Sequence, residues 1–596
     1  MADPNRNSAV TVAETPRDSI VKAEDDGYET TASTLAVPEK RDAAVSDLDS
    51  TRAPSLEKVE GDKVDTEAGE AQEAEQPLQR NITGVKFFLV MTSILSSAFL
   101  FSLDNTVVAD VQGIVAGRFD AIDKLPWFST GFALGAVSTT LVFGKIYSQF
   151  DAKWLYIITT TIFEVGSVLC GAAPNSACFI VGRAIAGFGG MGMYIGVMTL
   201  IAYTTTMQER SIYVGLTGLV WGAGTVLGPV IGGAFADSSA TWRWGFYINL
   251  CVGALFAPVY LFLIPSSDPR PGVPVFTRFK RIDYVGTILF IGATCSFVMA
   301  VCFGGILYDW NSGQIIALWV VMGMLYITLG FQQVYTVFTT KDDRIFPVEF
   351  FTAKYTKELL LLYCCIASAA TIAFTPLYMI PLYFQFTRAD SALDAGVRLL
   401  PLICTMVFFC LANGGIMAAT GYYMPWYLFG GALSLVGGAL MFSLVGADTA
   451  TSKIYGYSVL MGIGSGCFIQ AGFSIAQALV EPHNIPNAVG FISLGQVSGL
   501  TICLAIVNSV LLNGAERRLT DILPNLTKQE VQGTIGGVSS AIFDGLSAQQ
   551  KSRVLDAIVK SINDTYGTVI AAGAFVVVLS VFMSRQKVFL QAGQAG

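Results

Sequence analysis

The chain has 596 residues, of which 53% are apolar and 13% charged, and its formal net charge is −8 at pH 7. Soluble domains carry about 25% charged residues, so this composition excludes an ordinary soluble domain and, with its repeated apolar stretches, favours a polytopic membrane protein. The eleven cysteines lie in or beside apolar segments without zinc-ligand spacing, so we expect them to be small buried hydrophobes rather than metal ligands.

Residues 1–80 form an acidic tail. They hold 19 Asp and Glu against 9 Lys and Arg, whereas residues 81–596 hold 25 against 27. The tail has no Phe, Trp or Cys and cannot bury enough apolar surface to fold, and it lacks the basic start and apolar stretch of a signal peptide. We predict a disordered cytosolic segment, which is either a passive solvated tail or a phosphorylated regulatory one.

Fourteen apolar stretches are long enough to cross a bilayer, which takes about 20 residues as a helix. They lie near residues 87–112, 127–147, 154–173, 178–202, 212–236, 244–264, 284–303, 314–335, 358–385, 396–418, 426–445, 455–479, 488–512 and 566–585. An even number places both termini on one side. Loops on the tail side carry fifteen Lys and Arg against six opposite, so both termini are predicted to be cytosolic.

The spans fall into two similar groups. Residues 86–263 hold six spans in 178 residues, and residues 358–585 hold six in 228, or 178 without a loop of about fifty residues. Two six-helix halves around a central site are an architecture of secondary transporters. The predicted units are the tail 1–80, a six-helix bundle 81–283, two inserted helices 284–335, a six-helix bundle 336–585 with the outer loop 514–563, and a cytosolic tail 586–596.

The predicted outer loop contains two glycosylation sequons. Asn525 begins Asn-Leu-Thr and Asn563 begins Asn-Asp-Thr. Because this loop faces outward or into a lumen, both asparagines are candidate glycosylation sites.

Glu164 lies about ten residues into the third span, which places it near the bilayer midplane. A charge at the centre of a span costs about 2.5–3.5 kcal/mol on insertion scales, so such a residue is a functional candidate. A carboxyl group buried there can exchange protons near neutral pH. The alternative is a glutamate that is hydrogen-bonded between helices.

Residues 215–233, GLTGLVWGAGTVLGPVIGG, contain seven glycines and a proline without a charge. In water each glycine costs a helix about 1 kcal/mol and an interior proline about 3. In lipid, small residues let helices approach closely, and neighbours satisfy the backbone group that proline leaves free. The segment predicts a helix that packs, slides and bends, with an ordinary small-residue packing face as the alternative.

This pattern resembles the antiporter motif in the fifth helix of the major facilitator superfamily, at Gly215, Gly224, Gly228, Pro229, Gly232 and Gly233. Residues 103–108 (LDNTVV) resemble the first-helix motif of its fourteen-span drug:proton antiporters, and residues 182–190 resemble the fourth-helix arginine motif. Three further segments are similar to the fungal branch that exports toxins, antifungals and secondary metabolites: 381–385, 396–401 and 421–426. The resemblance extends over residues 85–585.

One loop departs from the family pattern. Between the second and third helices the family usually reads G-x-L-x-D-R-x-G-R-[KR], whereas residues 144–153 read GKIYSQFDAK. Ser148 stands at the acidic position, and Gln149 and Ala152 stand at basic ones. The usual cytosolic charge latch is therefore incomplete, and the candidates for a substitute are Lys145, Asp151 and Lys153.

The resemblance implies an all-α major facilitator fold in which the first and fourth helices line the cavity. Asp104 and Arg183 lie on these helices at comparable depth in the outer half. We predict that they pair and that the pair opens when Asp104 is protonated. The alternatives are a static ion pair that fixes the two helices and, for Arg183, a side chain that snorkels to the outer interface.

Aromatic and amide side chains on apolar helices are candidates for the substrate cavity. A pocket with aromatic walls and a few uncharged polar groups suits amphipathic small molecules. Each of these residues has helix packing as its alternative role. The candidates are Trp221, Tyr378, Tyr383, Gln385, Asn413, Phe468, Gln470, Phe473, Gln477 and Gln496.

We predict a proton-coupled exporter of hydrophobic or amphipathic small molecules that works as a monomer, without cofactor or nucleic acid, in the plasma membrane or else a vacuolar or vesicle membrane. No phosphate-binding G-x-x-x-x-G-K-[ST] loop is present, which opposes ATP-driven transport. The sole histidine, His483, opposes a multi-histidine metalloenzyme. The alternatives are a proton-coupled uptake porter for a nutrient or chelated metal and a non-transporting sensor.

Overall fold

The computed structural model describes residues 82–121, 124–236, 238–305, 307–351, 355–523 and 546–588. The predicted disordered tail at 1–80, the sequon at Asn525 and residues 589–596 lie outside the described residues. Within the described residues the regular secondary structure is helical. Fourteen of these helical segments are long and apolar enough to cross a membrane, which confirms the predicted number of spans.

The first six spans are single helices. They are α1 (Gly84–Arg118), α2 (Leu125–Tyr147), α3 (Ala152–Ala172), α4 (Ser176–Thr204), α5 (Met207–Ala236) and α6 (Trp244–Phe262). Side-chain caps set where two of them begin, because a capping oxygen satisfies backbone N–H groups that have no partner in the first turn. Asp151 accepts from the backbone of Lys153 and Trp154 at α3, and Asn175 accepts from Cys178 at α4.

The remaining helices include three spans that are made of two helices each. In chain order they are α7 (Val275–Lys280), α8 (Tyr284–Phe303), α9 (Gly313–Tyr335), α10 (Thr356–Arg388), α11 (Ala392–Val397), α12 (Leu400–Thr420), α13 (Met424–Leu444), α14 (Thr451–Gly466), α15 (Ala471–Leu479), α16 (Ile485–Ile522), α17 (Ala548–Thr565) and α18 (Gly567–Val581). The tenth span combines α11 and α12, the twelfth α14 and α15, and the last α17 and α18.

The predicted outer loop at 514–563 contains helical structure at both ends. Helix α16 continues to Ile522, and α17 occupies Ala548–Thr565, so both edges of the predicted loop are helical. A capping box explains where α17 begins, since Ser547 accepts from the Gln550 backbone while the Gln550 side chain accepts from the Ser547 backbone.

The same helix pairs pack within each set of six spans. In the first set α3 packs on α4, α2 on α4, α1 on α5 and α3 on α6. The spans at the same positions of the second set repeat these pairs, as α13 with α14, α12 with α14, α10 with α16 and α13 with α18. Between the sets α2 meets α16 and α5 meets α12, so the second span of each set contacts the fifth of the other. The inserted α8 and α9 pack on each other, and α8 also contacts α2 and α16.

Contacts at the tail-side ends of the helices join the two sets. Glycine permits a close backbone approach of α2 to α16, because a Cβ on Gly490 would lie 3.1 Å from the Cα of Gly144. Beside it, the Lys145 ammonium donates to the backbone carbonyl of Asp342 in the segment after α9. Of the residues proposed as a substitute charge latch, Lys145 therefore contacts the segment after α9. Asp151 instead caps α3 and accepts from the Ser266 hydroxyl.

The linker after α6 is held by Arg278 on α7. Its guanidinium donates to Asp268 at 2.7 Å and to the backbone oxygen of Gln149 at 3.1 Å. The hydrogen bond from Arg278 lowers the pKa of the Asp268 carboxyl. The loop after α2 is thus tied to the linker through the backbone of Gln149, at a position where the family usually has a basic side chain.

Candidate functional site

Asp104 on α1 and Arg183 on α4 form an ion pair inside the first set of helices. The Oδ2–Nη1 distance is 2.5 Å, and both side chains are 0% exposed. Arg183 also donates through Nε to the backbone oxygen of Phe128 at 3.2 Å, and its guanidinium lies 4.6 Å from the ring centroid of Phe132. The structure therefore brings the two predicted residues together, and Arg183 does not snorkel. A buried pair keeps its attraction unscreened, and separating it leaves an uncompensated charge.

Asn249 on α6 completes the surroundings of Asp104. Its Nδ2 donates to Asp104 Oδ1 at 3.1 Å and to the Ser167 hydroxyl at 3.0 Å. Asn249 is not among the predicted site residues, which are charged groups, the glycines and proline of α5, two sequon asparagines, Trp221 and aromatic and amide groups of the second half. The available signal was an isolated amide within the strongly apolar helix Trp244–Phe262.

Glu164 on α3 lies one helical turn before Ser167. Both carboxyl oxygens are buried without a hydrogen-bond partner among the described residues. They lie against α6, where a Cβ on Gly253 would be 2.6 Å from Oε1, and Glu164 interacts electrostatically with Asp104. The interhelical hydrogen bond that we considered as the alternative is not observed in the described part of the chain. A buried carboxyl group without a donor requires an explanation, and a bound proton is one.

An apolar cleft lies between the two sets of helices. It is lined by α5, α10, α12, α16 and the segment between α14 and α15. Among the described lining residues none is charged, and the polar side chains are few. Three predicted residues line it, namely Trp221, Gln470 and Gln496, together with residues the sequence analysis did not select, among them Phe374, Leu377, Met406 and Leu500.

Several predicted cavity residues lie in helix packing instead. Tyr383 is buried and donates to the backbone oxygen of Gly446 at 2.7 Å. Phe468 is buried with its ring 5.3 Å from that of Tyr427. Asn413 is buried on α12, and Gln385 is half-buried on α10 and does not line the cleft. These four residues therefore do not line this cleft, since residue type does not reveal which face of a helix a side chain occupies.

The other three candidates do not line the cleft either. Tyr378 is 37% exposed and follows the lining residue Phe374 by one turn. Phe473 is buried with its ring 6.2 Å from that of Tyr194, and Gln477 Nε2 donates to the Met198 backbone oxygen at 3.5 Å. Both contacts join the second set of helices to α4.

Glycines of α5 allow close packing against two neighbouring helices, α1 and α12. A Cβ on Gly224 would lie 2.8 Å from the Ser102 Cβ, and one on Gly228 would lie 2.8 Å from the Thr106 Cβ, both on α1. Gly215 faces α12 instead, where a Cβ would lie 3.1 Å from the Cys410 backbone oxygen. Gly233 has open space around it. Pro229 and Gly232 also lie in α5. The helix therefore connects α1 with α12 through surfaces that side chains would block.

Asn563 does not fit its predicted role as a glycosylation site. It lies in α17 with 3% exposure, and its Nδ2 donates to the backbone oxygen of Val445 at 2.6 Å. A glycan on that nitrogen would require the helix to leave its packing, so the structure contradicts this prediction.

Comparisons of the sequence and the fold with known proteins identify transporters as relatives. The family model for the Major Facilitator Superfamily matches residues 94–503. The chain is 50% identical over 525 residues to the MFS-type transporter pgmG of Aspergillus terreus, with 88% of this chain and 93% of that protein covered. It is 43% identical over 526 residues to the efflux pump alnA of Emericella nidulans, with 88% and 95% covered. The crystal structure of the human organic anion transporter MFSD10 is similar with a TM-score of 0.53 at 10% identity, covering 83% of this chain and 100% of that one, which indicates a shared fold.

Proposed function

The chain is a multi-pass membrane protein of the major facilitator superfamily, and from that premise we propose that it exports hydrophobic or amphipathic small molecules in exchange for protons. Secondary metabolites, toxins and antifungal drugs are the proposed cargo class, since curated relatives are named as efflux pumps and as an MFS-type transporter. The observation that carries the proposal is a fully buried Asp104–Arg183 pair together with a separate apolar cleft whose described lining residues include no charge. Proton site and cargo site are then separate.

Coupling is proposed to act through the helices that meet at the pair. A proton on Asp104 removes the charge that holds Arg183, so α1 and α4 are free to change their relative position. Helix α1 packs closely on α5, and α5 packs on α12 of the other set. A shift of α1 therefore reaches the contact between the two sets, and we propose that these are the two rocking bundles of the transporter. A single chain holds both bundles and the cleft, which supports a monomer.

Vesicles with an imposed pH difference separate the three functions that the sequence left open. Antiport drives cargo into vesicles whose lumen is acidic, because protons leave as cargo enters, whatever the orientation of the protein. Symport drives cargo into vesicles with an alkaline lumen, and a sensor drives it into neither. We expect accumulation with an acidic lumen for members of a panel of neutral lipophilic compounds with and without hydroxyl groups, including 1-pyrenemethanol and its methyl ether.

The measurement is cargo fluorescence in vesicles after filtration, with protein-free vesicles as the control for passive partition. Accumulation only with an alkaline lumen would favour the uptake porter. Absence of accumulation in both directions across the whole panel would count against transport and favour the sensor.

Glu164→Gln is expected to weaken coupling without unfolding the protein. We propose that Glu164 takes up and releases a proton in step with Asp104, because the two carboxyl groups interact electrostatically and Glu164 lies one turn from Ser167, which shares the Asn249 amide donor with Asp104. Residues that modulate coupling contribute about 0.5–2 kcal/mol, so the initial rate should fall about two- to thirtyfold. Since the carboxyl oxygens make no hydrogen bond in the described structure, the melting temperature should not fall. A wild-type rate across the pH range would contradict the proton role.

A further inference from the structure

The twelfth span is interrupted beside the cleft. Helix α14 ends at Gly466 and α15 begins at Ala471, within the single apolar segment Thr451–Leu479. Here the backbone forms tight turns, such as the hydrogen bond from Ala471 N to the Phe468 oxygen at 3.2 Å. Non-helical backbone at membrane depth is tolerated where protein buries it or where it lines a cavity, and broken helices mark binding sites in transporters. Gln470, at the end of this break, lines the cleft.

The Gln470 amide has an unused acceptor. The side chain is 4% exposed, and its Oε1 has no hydrogen-bond donor among the described residues. Gln496, the other amide that lines the cleft, uses its Oε1 to accept from the Tyr194 hydroxyl at 3.3 Å. A buried carbonyl oxygen without a donor costs free energy that a ligand donor would recover. Gly218 keeps the space beside Gln470 open, since a Cβ there would lie 3.2 Å from the Gln470 Cγ.

We propose that Gln470 Oε1 accepts a hydrogen bond from the cargo, and that the cargo class is neutral, largely apolar molecules that carry a hydroxyl group. The described lining residues include no charged side chain, so an ionised cargo would be desolvated without a counter-charge. Cargo at this position touches both bundles, because Trp221 belongs to the first and Gln470 to the second. The inference rests on the proposed export function, whose cargo it specifies.

Paired probes test this inference independently of transport. 1-Pyrenemethanol and its methyl ether differ in one hydroxyl donor, and their binding to the full chain in lipid nanodiscs is measured by energy transfer from tryptophan, Trp221 being in the cleft. Wild type should bind the alcohol about five- to tenfold more tightly than the ether, the value of one hydrogen bond to a buried acceptor. Gln470→Met should reduce this ratio to about one, with unchanged affinity for the ether.

A matched control is available two turns along the chain. Gln477 is 1% exposed and also has an Oε1 without a donor among the described residues, but it does not line the cleft. Gln477→Met should therefore keep the wild-type preference. Gln470→Asn retains the amide but withdraws it by one methylene, so it should give an intermediate ratio and provides a second test if Gln470→Met does not fold.

Equal binding of the two probes to wild type, no saturable binding of either, or a preference that survives in Gln470→Met would overturn the inference. Vesicle accumulation distinguishes this failure from that of the proposed function. A transporter that accumulates both probes equally leaves the export proposal standing and removes the role of Gln470. A hydroxyl preference that depends on Gln470, without any accumulation of cargo, supports the role of Gln470 and contradicts the export proposal.

Discussion

Asp104→Asn is expected to reduce accumulation in acidic vesicles to the level of protein-free vesicles while leaving exchange of labelled for unlabelled cargo intact at equal pH. A pH difference of about two units stores about 2.7 kcal/mol per proton, enough for about hundredfold accumulation with one proton per cargo. The variant cannot take up or release the proton, so that whole factor is lost. Exchange continues because asparagine resembles the protonated aspartate, a state that the cycle visits in any case.

The same variant tests whether the pair is static. A static ion pair would be needed in every state, and removing one partner from a buried pair typically costs about 3–5 kcal/mol of stability. A lower melting temperature is therefore expected for either role, whereas only the static role predicts loss of both accumulation and exchange. Undiminished accumulation by Asp104→Asn would contradict the coupling proposal altogether.

Glu358→Gln is the matched control for this experiment. Glu358 lies in the first turn of the membrane span α10, where its carboxylate accepts from the Tyr423 hydroxyl at 2.6 Å and from the Ser584 backbone at 3.0 Å. Its hydrogen-bond partners among the described residues include no cation. The carbonyl oxygen of a glutamine can still accept one of these two hydrogen bonds. The variant should therefore accumulate cargo as wild type does. Loss of accumulation in Glu358→Gln as well would indicate a general effect of altered carboxyl groups.

The spans could be predicted because apolar length is a local property of the sequence. The ion pair could be predicted because Asp104 and Arg183 are expensive inside a membrane and lie at similar depth, and because the family resemblance placed their helices at the cavity. The packing partners of a helix are not local, which is why Gln470 and Tyr383 received the same assignment although one lines the cleft and the other bonds a loop carbonyl.

Uncharged polar residues were the hardest to interpret. Asn249 is the donor next to Asp104, yet an amide on an apolar helix is compatible with many contacts, and only the packing of α6 on α1 selects this one. Asn563 illustrates the opposite error, since a sequon records residue identity but not burial. Helix α17 occupies the end of the predicted outer loop and packs against the rest of the protein. Asn563 is buried in this packing and is not at the surface.

Gly228→Leu is expected to have the second large effect, because it separates α1 from α5. A side chain at this position meets the Thr106 side chain, and a Cβ would lie 3.2 Å from the Val107 backbone nitrogen, which cannot rotate away. Overpacking of this kind costs about 1–3 kcal/mol, so the melting temperature should fall. Accumulation should fall with it, because α5 transmits the movement of α1 to α12.

Gly233→Leu on the same helix separates this packing effect from a general effect of removing glycine. Gly233 has nothing within 4 Å of an added Cβ, so its variant should keep the melting temperature and accumulation of wild type. Equal losses in the two variants would mean that flexibility of α5, and not its contact with α1, limits transport. A loss confined to Gly228→Leu, with cargo exchange reduced as much as accumulation, would instead identify the α1–α5 contact as part of the movement that every transport mode shares.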